Sequence, residues 1–285
     1  MGMSTADLPK MSLVLSTYKQ YKIIDANLYN LRNQTLKPHE IIITNDNIEP
    51  ELNELVEKYS DDFKIILIQN EDKGFRKCMC LNMAVKASSG DALIFNDGDC
   101  MPHSRFVEQH AKLIEKGRVL CGRRVMFGDH FIEPLLQQKI QLKEIEDSYV
   151  SSLFTHLFTA KTDYFEEGFF IDPESFLGKL MPPRKIRDII GCNFSIFKED
   201  LYKINGFDED FVLPTIGEDN DLTWRLQHFG IEIKSARNAA ITYHLGKHIY
   251  EKDSESVINN RKMMAEKKAK GLYRCVNGLE KLEVQ

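Results

Sequence analysis

Between residues 11 and 95, short apolar runs alternate with stretches of helical periodicity, and this alternation leaves few folds open. The runs are MSLVLS (11–16), EIIIT (40–44), residues 63–68 and residues 92–95. Each is too short for a helix and mostly apolar, as expected of strands buried on both faces. Between them, Ile23, Ile24, Leu28 and Leu31 recur at helical spacing until Gln34 to Pro38 breaks the pattern. Leu52, Leu55 and Val56 mark a helix over 51–59, and residues 77–87 read as another. β and α in this order predict an α/β chain with a Rossmann-like, mostly parallel central sheet and helices on both faces.

The runs stop on polar residues: Thr17-Tyr18, Asn45-Asp46-Asn47, Gln69-Asn70 and Asn96-Asp97-Gly98-Asp99. Parallel strands place these ends along one edge, and open α/β sheets bind ligands at that edge. Asp97 and Asp99 form a D-x-D pair, whose carboxylates repel unless a counter-charge intervenes. A hard divalent cation, Mn²⁺ or Mg²⁺, with a phosphorylated ligand would supply it. Alone, D-x-D reads first as an ordinary Asp-Gly turn, so its surroundings decide.

A net charge of −5 argues against a nucleic-acid or general membrane-surface binder. The 285 residues suffice for one large domain or two small ones. No apolar run approaches the ~20 residues of a membrane-spanning helix, and residues 1–10 lack the apolar core of a signal peptide. Six cysteines, with C-x-C at Cys78 and Cys80 and no second such pair, suit reduced thiols in a cytoplasmic protein.

Further on, a helix is expected over 106–115 and a strand over 119–125. Residues 134–158 read as one helix whose stripe Leu135, Leu136, Ile140, Ile145, Tyr149 and Leu153 faces the core. Residues 165–183, rich in aromatics, Gly and Pro, form an irregular segment, which inside a compact domain is usually functional. A strand over 189–196 and a short helix over 198–205 follow. Gly217-Glu218-Asp219-Asn220-Asp221 then opens a further helix. Acidic residues suit a first helical turn, but four acidic or amide side chains in a row exceed what a cap requires. Short strands at 231–233 and 240–243 precede His244 and His248 in YHLGKH. Residues 251–285 are charged and mostly helical. Their lysines (Lys262, Lys267, Lys268, Lys270) read as a solvated face, with contact to an anionic lipid surface as the alternative.

Three features converge: polar strand ends on one edge, a D-x-D among them, and a later acidic helix start and histidine. A cation-bound diphosphate is a good leaving group, and a carboxylate facing a second substrate can deprotonate a hydroxyl. Together they describe group transfer from a nucleotide-activated donor. At these residues the sequence resembles the inverting glycosyltransferases of family 2, which have the GT-A fold. SLVLSTYKQ…LRNQTLKPHEIIITND is similar to the family's first nucleotide-binding unit, and NEDKGFRKCMCLNMAVKASSGDALIFNDGD to the stretch leading into its D-x-D. GCNFSIFKEDLYKINGFDEDF, GEDNDLTWRL and YHLGKH resemble the acceptor half of chondroitin-polymerase and β-1,4-galactosyltransferase-like enzymes.

The resemblance implies a glycosyltransferase domain over 11–250: a nucleotide-sugar half (11–125), a variable acceptor or lid segment (126–188) and an acceptor half (189–250), with 251–285 as a helical extension. It implies that Thr17, Tyr18 and Asp46 hold the uracil and ribose of a UDP-sugar, with Arg76 beside the base or diphosphate and Asn82 in the same donor site. Asp97 would face ribose or sugar. Asp99 and His244 would bind the metal, with His248 as the competing ligand. Asp219 matches the general base, with Glu218 as a sugar contact or alternative base. Thr215-Ile216-Gly217 stands where the galactosyltransferase-like pattern has Trp-Gly-Gly, so the ring that would stack on a sugar is missing. Gly98 would let the backbone approach the diphosphate. The acceptor would be a glycan or glycoconjugate hydroxyl, reached by a soluble or peripheral enzyme. Two other readings remain: a non-catalytic nucleotide-sugar or glycan-binding module, and a sugar-phosphate nucleotidyltransferase. The latter lacks its glycine-rich loop, because STYKQYK holds no glycine.

Overall fold

The computed structural model describes residues 7–159, 161–181, 186–214, 217–246 and 254–282. The expected alternation forms the first half: β1 (Met11–Thr17), α1 (Tyr21–Leu31), β2 (Glu40–Asn45), α2 (Glu51–Lys58), β3 (Ile65–Gln69), α3 (Lys77–Ala87) and β4 (Ala92–Asp97). These strands pair in parallel in the order β3-β2-β1-β4. Their side chains alternate between two cores. Leu13, Leu15, Ile41, Ile43, Ala92 and Ile94 join one cluster with Ile24 and Leu28 of α1 and Leu52 of α2. Val14, Ile42, Leu93 and Phe95 join the other with Leu81 and Val85 of α3. Both faces of the sheet are therefore buried, which is why the runs are mostly apolar.

β5 (Cys100–Pro102) and α4 (Phe106–Leu113) follow, and then β6 (Arg118–Cys121) and β7 (Arg123–Phe127). The strand expected over 119–125 is thus two strands in two different sheets. Gly122 divides them because a Cβ there would stand 2.2 Å from the Ala240 carbonyl oxygen and 2.5 Å from the Asn193 amide. The single helix expected over 134–158 is also broken. It resolves into α5 (Asp129–Leu136), α6 (Leu142–Asp147) and a π-helical turn at Thr155–Thr159, with Gln138 at φ 54° ending the first piece. After α7 (Phe176–Leu180), the strand expected over 189–196 starts only at β8 (Phe194–Phe197), and the preceding residues form a turn.

The chain closes with α8 (Lys198–Lys203), α9 (Glu218–His228), β9 (Glu232–Ser235), β10 (Ile241–Leu245) and α10 (Glu255–Ala269). β8 lies antiparallel between β4 and β6, and β9 completes a seven-stranded sheet, β3-β2-β1-β4-β8-β6-β9. A separate three-stranded sheet, β5-β10-β7, crosses the crevice end. It covers a third core of Val125, Phe127, Phe131, Tyr149 and Tyr243. Beyond α10 the chain is not helical: Cys275 and Leu279 pack back onto the molecule and are buried. Among the described residues no helix is long and apolar enough to cross a membrane.

Candidate active site

The chain runs from β1 to β2 on one side and later places β4 on the other, so strand order reverses between β1 and β4. A crevice opens at the carboxyl ends of strands flanking such a reversal. Here it is a cavity of about 530 Å³ lined by Ser16, Thr17, Tyr18, Asp46, Lys77, Asp97 and Asp99, among others. Four of the sequence-predicted donor residues therefore meet at one place. The pairing register sets this, since Thr17 lies opposite Asn45 and Ser16 opposite Asp97.

At one end of the crevice, Asp46 accepts the Arg76 backbone N–H at 2.6 Å, and the Arg76 guanidinium sits 3.2 Å from its other oxygen. The same guanidinium donates to the Glu71 carbonyl. Arg76 therefore braces Asp46 at the end away from the D-x-D. Tyr18 is exposed at the rim, its hydroxyl donating to Asp72 at 2.9 Å. Asn82 is a correction: it is buried under the crevice rather than lining it. Its amide donates to the Phe207 carbonyl at 2.8 Å and to Glu209 at 2.9 Å, and its carbonyl accepts the Phe207 N–H at 2.9 Å. Every polar atom of Asn82 is spent on the turn after α8, so it is a strut between α3 and that turn.

At the other end, Asp97 accepts the Ser16 hydroxyl at 2.9 Å and lies 2.8 Å from the Lys77 ammonium. Gly98 allows close packing of the chain on itself rather than approach to a ligand. A Cβ there would be 2.9 Å from the Ser16 carbonyl oxygen and 2.8 Å from Ile24, and the Gly98 N–H donates to that same carbonyl at 2.7 Å. The turn then carries Asp99 outward. β5 runs antiparallel to β10 with Cys100 opposite His244, and the Leu245 N–H donates to the Asp99 carbonyl at 2.8 Å. This register sets His244 Nε2 3.3 Å from Asp99 Oδ2. His248 lies outside the described residues.

Asp99 and His244 fit a cation. His244 Nδ1 meets the Gly246 carbonyl at 2.9 Å. A carbonyl can only accept, so Nδ1 carries the proton and Nε2 faces Asp99. Burial works against a charged imidazole here, but the Asp99 carboxylate and the Gly246 carbonyl outweigh it and raise His244 above its ordinary value. A carboxylate oxygen and an imidazole nitrogen thus face each other, a donor pair that a divalent cation accepts. One ligand atom each of Asp99, Cys100 and His244 lies within 4.8 Å of the others. The Cys100 thiol is pushed well up by burial and stays neutral.

The acidic run at α9 divides by role. Asp221 turns inward to Arg225 at 2.7 Å, both fully buried, and also accepts the Trp224 indole N–H at 3.0 Å. Glu218 lies beside Lys77, which lines the crevice, and Asp219 packs near Gly191. The start of α9 is set by Gly217 at φ 142°, which has no side chain to cap it, and Asp219 accepts the Asn220 N–H of the first turn at 2.8 Å. Thr215 and Ile216, just before it, lie outside the described residues. Burial raises both Glu218 and Asp219, and the Lys77 ammonium partly offsets this. Lys77 lies 3.7 Å from Glu218, so one cation spans Asp97 on β4 and the start of α9. Sequence reasoning passed over Lys77. The available signal was a cation in the first turn of a helix, where the dipole disfavours it.

The comparisons with known proteins agree with this geometry. A family model described as glycosyl transferase family 2 matches residues 12–204, and one described as the N-terminal domain of galactosyltransferase matches 173–251. The chain is 24% identical over 241 residues to chondroitin synthase of Escherichia coli, covering 82% of this chain and 34% of that protein. It is 24% identical over 250 residues to validoxylamine A glucosyltransferase of Streptomyces hygroscopicus subsp. limoneus, covering 83% and 52%. The chain thus spans a third to a half of these relatives' length. Among solved structures, GalNAc-T7 with UDP, GalNAc and Mn²⁺ superposes with a TM-score of 0.64 at 12% identity, over 91% of this chain and 48% of that one. The mannosyltransferase PcManGT from Pyrobaculum calidifontis, in complex with GDP-Man and Mn²⁺, gives 0.52 at 14% identity, over 83% and 57%. These likenesses establish the GT-A fold.

Proposed function

The chain belongs to glycosyl transferase family 2, and we propose that it transfers a sugar from a UDP-sugar to a hydroxyl of a glycan or glycoconjugate, with inversion and with a divalent metal. The observation that carries this reading is the meeting of Asp97, Asp99 and His244 at one end of a nucleotide-sized crevice, with Asp219 nearby across Lys77. Thr17, Tyr18 and Asp46, braced by Arg76, suit a uracil and ribose at the other end. The solved structures with similar fold hold UDP in one case and GDP-Man in another, so the nucleotide rests on this chain's own residues.

Asp99 and His244 would hold Mn²⁺ or Mg²⁺, which when bound supplies counter-charge to a diphosphate. Asp97 orients the ribose or the sugar. Asp219 accepts the proton of the acceptor hydroxyl. That oxygen bonds to the anomeric carbon from the face opposite the diphosphate. The bond from the carbon to the diphosphate oxygen breaks, and its electron pair leaves with UDP. Burial lifts Asp219 toward the working pH, which favours a carboxylate acting as base. Glu218 contacts the sugar or the acceptor.

The test is Asp219→Asn, followed by turnover on a panel of UDP-sugars and by calorimetry with UDP. Turnover should fall about 10²–10⁴-fold, while UDP affinity in Mn²⁺ changes less than about twofold. Full turnover in the variant would remove Asp219 as base. UDP binding that is absent, or indifferent to Mn²⁺, would sink the donor reading.

A further inference from the structure

Lys77 opens α3, whose first turn contains no acidic residue. A cation at this end of a helix opposes the macrodipole, so helix stability does not explain it. Its side chain is 22% exposed and points into the crevice, with the ammonium 2.8 Å from Asp97 and 3.7 Å from Glu218. Asp97 ends a strand of the nucleotide half. Glu218 begins a helix of the later half, 121 positions on in sequence from Asp97 (218 − 97). Lys77 therefore joins two elements that no strand pairing links directly.

We propose that Lys77 is a positioning residue that clamps the start of α9 to the end of β4 and keeps the Glu218–Asp219 pair ionised for proton abstraction. The inference rests on the reading of Asp219 as base. Among the described residues, the groups facing that pair are few. From α3 come Lys77 and the Cys78 thiol, from β4 Asp97, and from β6 the Cys121 thiol. The Gly191 backbone N–H bonds to Asp219. Burial keeps both thiols protonated. Of the side chains, Asp97 adds negative charge and Lys77 is the counter-charge. Without Lys77, Glu218 and Asp219 share a partly buried space with no cation 3.7 Å from Glu218, and the charged form of the pair is disfavoured further.

The experiment compares Lys77→Met and Lys77→Arg with the wild type by ¹³C-carboxyl NMR titration, with Glu218 and Asp219 assigned through Glu218→Gln and Asp219→Asn. This readout needs no known donor. Loss of the charge should move the Glu218–Asp219 titration up by about one to two pH units, and Lys77→Arg should hold it near the wild-type position. The acid limb of turnover should follow on any accepted donor. Should Lys77→Met fail to fold, Lys77→Gln takes its place. An unshifted titration overturns the proposal, and so does an arginine variant that behaves like the methionine one. A purely structural lysine would lower stability and leave the titration in place. Calorimetry of wild type with UDP and Mn²⁺ separately decides the donor reading, so the two failures are distinguishable.

Discussion

Arg225→Met tests how the buried face of α9 supports the acids of its first turn. The guanidinium is fully buried. It donates to Asp221 at 2.7 Å and to the carbonyls of Ile204 and Gly206 at 3.0 and 2.8 Å. Methionine fills similar space but strands the Asp221 carboxylate, also fully buried, with only the Trp224 indole N–H for company. Removing one partner of a buried pair costs about 3–5 kcal/mol, against roughly 5–15 kcal/mol for a whole domain. Trp224 is the only tryptophan in the chain and lies on α9 itself. Its fluorescence in a urea titration therefore reports this helix directly. The variant should unfold at markedly lower urea. Asp221→Leu combined with Arg225→Met removes the stranded charge and should regain part of the loss, leaving about 1–3 kcal/mol for the Gly206 carbonyl, since the Ile204 carbonyl keeps the Cys275 N–H at 3.3 Å. A single variant costing under about 1 kcal/mol, or a double no better than the single, would refute the view that this pair anchors α9.

Stability should also fall below neutral pH through His110. Burial pushes this imidazole down to about 3, with its Asn193 bond pulling only slightly the other way. The unfolded chain takes up the proton near the ordinary 6.5. Stability is then complete above pH 6.5 and is lost as pH falls toward 3, by at most about 1.4 kcal/mol per pH unit. His103, also lowered to about 3 by burial, acts in the same direction. His110→Gln should flatten the slope of urea midpoint against pH by about one proton, and an unchanged slope would show that His110 is charged when folded. Gly98→Ala should cost about 1–3 kcal/mol and weaken Mn²⁺-dependent UDP binding, because the new methyl displaces the turn that carries Asp99. Calorimetry showing wild-type affinity would mean the turn tolerates the methyl.

What could be read from the sequence follows the range of each interaction. The first four strands were legible because their side chains alternate into two cores, leaving runs with no polar face. The crevice was legible for a related reason: once the strands are parallel, every strand end is on one edge, so Thr17, Asp46, Asp97 and Asp99 needed no long-range information. The failures are at positions where a distant partner decides. Gly122 looks like a small residue within one strand, and only the Ala240 carbonyl and the Asn193 amide pressed against it force the break. Asn82 and Asp221 carry the same polar groups as the residues lining the crevice, yet the turn after α8 and Arg225 claim them. His244 had His248 as its competitor in the sequence, and only the register of β10 on β5 shows His244 beside Asp99, while His248 lies outside the described residues.

Lys77 shows why counter-charges are harder to find than charges. A carboxylate at a strand end is conspicuous because the run before it is apolar, whereas a lysine in a helical stretch looks like solvated surface wherever it occurs. Its use becomes visible only when β4 and α9 are seen to converge, with Asp97 at 2.8 Å and Glu218 at 3.7 Å. Its one local anomaly is a positive charge at the positive end of a helix. That placement is unfavourable for an isolated helix and is stable here because two carboxylates from distant parts of the chain surround it. A locally disfavoured charge, kept at the rim of a ligand crevice, is therefore a usable sign that a partner of opposite charge lies elsewhere in the chain.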